Sequence, residues 1–231
     1  MRFFALLKKE LCETLPWIVL AAFLLVFCGA IFIGEYTRQR RGFTEPATIS
    51  PRSFVRMDTF REEMPLRDIG ALLLYTSCCL GLVLAVRQFL VPSFLKTWAF
   101  TIHRSVSRTT ILLGKFAAAI IALILSCGII WTLFCWYASK PGLFQMPLRQ
   151  RTFAEGWIFI SLGLVVYLGT VLSALSTARW YITRMFGLVF ASCIYMLLLL
   201  QTGLALCLAT IIVSLVILVS QIIHTFLNRE F

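Results

Sequence analysis

Residues 185–226 read MFGLVFASCIYMLLLLQTGLALCLATIIVSLVILVSQIIHTF, a stretch with no lysine, arginine, aspartate or glutamate. A helix rises about 1.5 Å per residue, so roughly 20 apolar residues cover a hydrocarbon core of about 30 Å. The stretch is too long for one crossing and suits two. Gln201-Thr202-Gly203 is the polar punctuation near its middle, so the spacing predicts a tight turn there, between helices over 185–201 and 203–226.

Working back along the chain, further apolar runs predict helices over 15–34, 69–88, 111–138 and 156–175. The composition agrees. Hydrophobic residues make up 60% of the 231 residues, charged residues 13%, and mean hydropathy is +0.92. A water-soluble domain carries about a quarter of its residues charged, so most of this surface must face lipid. Leu15–Gly34 is too long for a signal peptide and lacks a small-residue cleavage site. The eight cysteines show neither a disulfide framework nor a CxxC metal pattern, and seven of them lie within the apolar runs. The expectation is an all-α integral membrane protein of six transmembrane helices, with both termini on one side.

The polar segments fill in the layout. Residues 1–14, MRFFALLKKELCET, place Phe3, Leu7 and Leu11 at helical spacing, with Lys8 and Lys9 mostly off that stripe. They are expected to form an N-terminal amphipathic interface helix, its lysines toward anionic headgroups. Thr14 is placed to cap the helix that follows. Residues 35–67 form an outer loop with seven arginines. Within it Phe54, Met57, Phe60 and Met64 recur at helical spacing after Ser53, which fits a short surface helix or a solvated charged loop. Residues 91–110, VPSFLKTWAFTIHRSVSRTT, join helices two and three. With the N-terminus inside, eleven basic residues fall on inner segments and ten on outer ones, so charge does not orient the chain.

Chemistry-bearing motifs are absent. There is no GxxxxGK[ST] phosphate loop, no HExxH, no paired carboxylates, and no acidic residue in the middle of an apolar run. Gly114-Lys115 reads as an isolated pair at a helix start. Neither enzymatic chemistry nor a bound cofactor or metal is expected, and no nucleic-acid partner. The hydroxyls Thr76, Ser77, Ser126, Thr132, Ser161, Thr170 and Ser173 are the polar minority along any pathway, which leans toward an amphipathic or lipid-like cargo.

The stretch Thr97–Lys115, TWAFTIHRSVSRTTILLGK, resembles the signature of type 2 ABC transporter permeases. In that family the joint after helix two commonly reads GTW-x-FLL-x-RPVSR…IL-x-GK. Thr97-Trp98, Arg104, Val106-Ser107-Arg108, Ile111-Leu112 and Gly114-Lys115 match in order and spacing. LLKKEL near the N-terminus and Ala178-Arg179-Trp180-Tyr181…Arg184 are similar to family members as well. Ser105 stands in place of the usual proline, Lys96 in place of the glycine, and Pro92 where the family has glutamate. No ion pair from that glutamate position to an ATPase is therefore expected.

The resemblance implies a permease subunit, most often an exporter, in a bacterial cytoplasmic (inner) membrane. It implies a dimer with a second permease copy, as a homodimer or a heterodimer, and a separate ATP-binding cassette ATPase docked on the cytoplasmic face. The docking elements it implies are 91–110 as the ATPase-coupling segment, through Trp98, Phe100, His103, Arg104, Ser107 and Arg108, and the interface helix, through Phe3, Leu7, Lys8, Lys9 and Leu11. A non-transporting membrane scaffold that binds a partner with the same loop is the alternative.

Overall fold

The computed structural model describes residues 2–42, 51–95, 108–140, 150–176, 185–201 and 203–227, and side chains within these except 2, 36–42, 51–67, 108, 150 and 227. Every described element is helical. They are α1 (Arg2–Gly42), α2 (Pro51–Ala85), a π turn (Val86–Leu90), α3 (Val91–Phe94), α4 (Arg108–Leu123), a second π turn (Ile124–Gly128), α5 (Ile129–Ala138), α6 (Gln150–Leu175), α7 (Phe186–Leu200) and α8 (Leu204–Leu227). The residues flanking both π turns keep right-handed helical angles. Two continuous rods result, Pro51 to Phe94 and Arg108 to Ala138.

Among the described residues, five stretches are long and apolar enough to cross a bilayer: Phe3–Glu35, Asp68–Phe94, Thr109–Ala138, Arg151–Leu175 and Leu204–Phe226. The helix between the last two, α7, has 15 residues and is about 22 Å long. The chain is an α-helical, multi-pass membrane protein.

Helix α6 is the axis of the bundle, packed against α2, α7 and α8. Of its apolar stretch 78% is buried, against 17% for α1 and 28% for α8. In α8 the buried residues are Cys207, Ile211, Ser214, Leu218, Ile222 and Phe226, while Leu206, Ile212, Val213 and Val216 are exposed. That three-to-four spacing turns one face inward and leaves an equally apolar face outward. Such a face is stable against acyl chains, not water.

Between apolar helices in lipid, close contact depends on small residues. At the α2–α6 crossing, a Cβ added to Gly163 would lie 2.6 Å from the Ser77 carbonyl oxygen. At the α6–α7 crossing, one added to Gly169 would lie 2.5 Å from the Gly187 carbonyl oxygen. Polar ties lock both contacts. Ser77 Oγ donates to the Phe159 carbonyl at 2.9 Å, and Ser173 Oγ accepts from the Leu188 amide at 3.1 Å. The second bond satisfies an amide in the first turn of α7, where Met185 supplies no side-chain cap.

Two expectations need correction. Residues 1–14 do not form a helix of their own, because α1 runs unbroken from Arg2 to Gly42 with Pro16 inside it. Thr14 does not cap a new helix. It is buried, and its Oγ1 donates back to the carbonyls of Glu10 and Leu11 at 2.9 and 3.1 Å. Within the expected outer loop the helical spacing after Ser53 falls on helix: α1 extends to Gly42, α2 begins at Pro51, and 43–50 lie outside the described residues.

A buried polar cluster at one end of the bundle

The start of α1, the π turn after α2, the start of α4 and the latter half of α6 meet around Lys115. The side chain of Lys115 is 8% exposed and that of Glu10 is 12% exposed, with Nζ 2.9 Å from Glu10 Oε1. Nζ also donates to the Gln88 carbonyl at 3.0 Å and sits 5.4 Å from the centre of the Phe89 ring. The Tyr167 hydroxyl donates to Gln88 Oε1 at 2.7 Å and lies 3.5 Å from the Lys115 carbonyl. Phe116 packs edge-on against the Tyr167 ring. Gln88 Nε2, fully buried, has no hydrogen-bond partner among the described residues.

Local structure explains why these groups converge. On α1, Phe3, Leu6, Glu10 and Thr14 share one face, at three-to-four spacing. Leu6 and Phe3 close over Gly114, where a Cβ would collide with the Leu6 side chain. That close approach brings Glu10 to Lys115. On the other side, the π turn offsets the backbone ladder and rotates Gln88 and Phe89 into the core. Side-chain donors then meet two successive carbonyls: Lys115 Nζ at Gln88, and Ser93 Oγ at Phe89 at 2.7 Å.

The ion pair is costly in isolation and tolerable as built. A charge within an apolar span is expensive unless it is paired and hydrogen-bonded, and here the ammonium has a carboxylate, a carbonyl and an aromatic face. The exposed pairs Lys9–Glu13 at 3.7 Å and Arg151–Glu155 at 2.9 Å are surface i, i+4 contacts that contribute little.

Sequence reasoning misplaced Lys115. It is not an idle lysine at a helix start but the centre of this cluster. Glu10 was passed over because its partner lies 105 positions away. Each residue carried a signal, namely a single charge set on an otherwise apolar helical face.

The expected site residues divide. Trp98, Phe100, His103, Arg104 and Ser107 lie outside the described residues, and Arg108 is described only as the first backbone position of α4. Phe3 is half-buried against α4. Leu7 and Leu11, also half-buried, flank the inward face, while Lys8 and Lys9 are exposed. The pathway hydroxyls mostly bond within their own helices. Those of Thr76, Ser126, Thr132, Ser161, Thr170 and Ser173 each donate to a carbonyl four residues back in their own helix.

The bundle and its buried cluster define an α-helical multi-pass membrane protein with charged residues packed inside it. Comparison with known protein families, characterised proteins and solved structures finds no significant match to any of them.

Proposed function

We propose that the chain is the membrane-spanning permease subunit of an ATP-binding cassette transporter, an exporter in a bacterial inner membrane. In this reading it crosses six times, α7 being the short crossing, and it pairs with a second permease copy. A separate ATPase docks on the cytoplasmic face and supplies the energy. One observation carries the reading. The permease-like stretch Thr97–Lys115 ends on Gly114-Lys115, and those two residues are where α4 contacts the start of α1, through Leu6 and Phe3 on Gly114 and through Glu10 on Lys115. The end of the permease-like stretch is thus in contact with the N-terminal segment that the resemblance makes a docking element. A load applied to either one reaches the other through close packing and an ion pair, as a rigid-body coupling needs.

The test is reconstitution with the cognate cassette ATPase, reading ATP hydrolysis and cargo movement together. Trp98→Ala should weaken docking by about 2 kcal/mol if the indole is an interface anchor. Arg108→Glu should uncouple hydrolysis from transport, and more severely than Arg108→Lys, which keeps the charge and loses the fork geometry. Unimpaired transport in both Trp98→Ala and Arg108→Glu would refute the coupling role and favour a scaffold that transports nothing.

A further inference from the structure

The Glu10–Lys115 pair is an odd choice for holding two apolar helices together. Replacing a buried ion pair by apolar side chains of similar size is commonly neutral or stabilising, so the pair is poor evidence for a purely structural role. What a charge pair offers, and leucine against methionine does not, is a contact that can open and leave both groups satisfied by water or headgroups. The surroundings fit such an opening. Beyond its inward face α1 has little holding it, with 17% of its apolar stretch buried and Phe4 72% exposed at its start. Pro16 has no amide hydrogen to give the carbonyl four residues back, so the helix is weakest just after the latched segment. The other end of the contact is a π turn, a geometry that recurs at functional sites, and it is the carbonyl of Gln88 in that turn that Lys115 holds.

We propose that Glu10 and Lys115 form a releasable latch. Closed, it clamps the first turns of α1 against the start of α4 and the π turn after α2. Open, it lets residues 2–14 swing about Pro16 onto the membrane surface as an amphipathic segment, with Glu10 and Lys115 each solvated at the interface. The carbonyl of Gln88 is released in the same step. The latch rests on its own geometry and does not depend on the transport reading.

Electron–electron distance measurement on the full chain in lipid nanodiscs tests it, with spin labels introduced as non-natural amino acids so that the eight native cysteines stay in place. Labels at the exposed positions Phe4 and Met185 report the start of α1 against the rest of that end of the bundle. Labels at Leu133 and Leu199, also exposed, report the bundle alone. The wild type should show a major short distance and a minor long one. Lys115→Met should raise the long-distance fraction at least fivefold. The double variant Glu10→Leu/Lys115→Met, with no charge left to solvate, should show the short distance alone. The charge exchange Glu10→Lys/Lys115→Glu should restore the wild-type mixture. The Leu133–Leu199 distance should be the same throughout. A single short distance in the wild type and in Lys115→Met would overturn the latch, leaving a fixed contact. So would a Leu133–Leu199 distance that broadens in Lys115→Met alongside the first pair, which would make the lysine a keystone of the whole bundle.

Discussion

Removing one oxygen atom from Tyr167 should cost more than a hydrogen bond in this bundle usually would. The phenol is fully buried on the central helix and bonds one end of the Gln88 amide, whose other end has no partner among the described residues. Whichever way the amide is turned, the hydroxyl can satisfy only one of its ends. Tyr167→Phe keeps the ring, its packing on Phe116 and nearly all the buried apolar area, so no cavity of consequence opens. It leaves the whole amide stranded. An average hydrogen bond between helices in lipid contributes about 0.6 kcal/mol, whereas leaving a buried polar group unsatisfied costs about 1–3 kcal/mol. The second figure applies, and we expect a loss of about 1–2 kcal/mol. Adding Gln88→Leu removes the stranded group and should bring stability back to within about 0.5 kcal/mol of wild type, so the pair is strongly non-additive. Reversible unfolding in mixed micelles, followed by far-ultraviolet circular dichroism, reads all four corners of the cycle. If Tyr167→Phe matches wild type, or the double variant is worse than either single one, the amide is satisfied by something else and the reasoning fails.

Two further outcomes test the architecture. Gly163→Val should separate α2 from α6, because its Cβ would meet the Ser77 backbone. Overpacking of this kind costs about 1–3 kcal/mol or more, read in the same unfolding assay, whereas Gly34→Val, with open space around it, should be nearly silent. For topology, six crossings place Ser105 inside and Ser139 outside. In a background cleared of native cysteines, a membrane-impermeant maleimide should label Ser139→Cys in intact cells and Ser105→Cys only after lysis, and external labelling of Ser105→Cys would reverse or break the proposed orientation.

Much of the architecture was legible because lipid imposes a length rule that composition alone can read. Runs such as 203–226 are uninterrupted, and α8 follows that run to within a residue at each end. The polar segments were harder. Pro16 and Pro65 lie inside continuous helices and Pro51 begins one. Proline forbids one backbone bond, and a helix supported on both sides can survive that loss. The cluster around Lys115 was the least legible feature. Its partners come from positions 10, 88 and 167, and only the folded chain brings them together. Nothing local marks Val86–Leu90 as a π turn, although that turn is what aims Gln88 inward. The coupling residues from Trp98 to Ser107 stay where the sequence left them, as expectations for experiment.

Helix α7 has a mechanical consequence for the membrane itself. Its 15 residues reach about 22 Å, some 8 Å short of an average hydrocarbon core, while α6 and α8 on either side are 26 and 24 residues long. In the six-crossing reading, lipids beside α7 must shorten or tilt, or let their headgroups sink beside Met185 and Gln201. Mismatch costs a fraction of a kcal/mol per Å, which over this gap amounts to an elastic load of a few kcal/mol concentrated on one flank. The protein would therefore carry its own dimple in the bilayer, deeper in membranes of long-chain lipid. A neighbouring molecule that shared the dimple would relieve part of the load, a sideways attraction transmitted through the lipid without any contact between side chains.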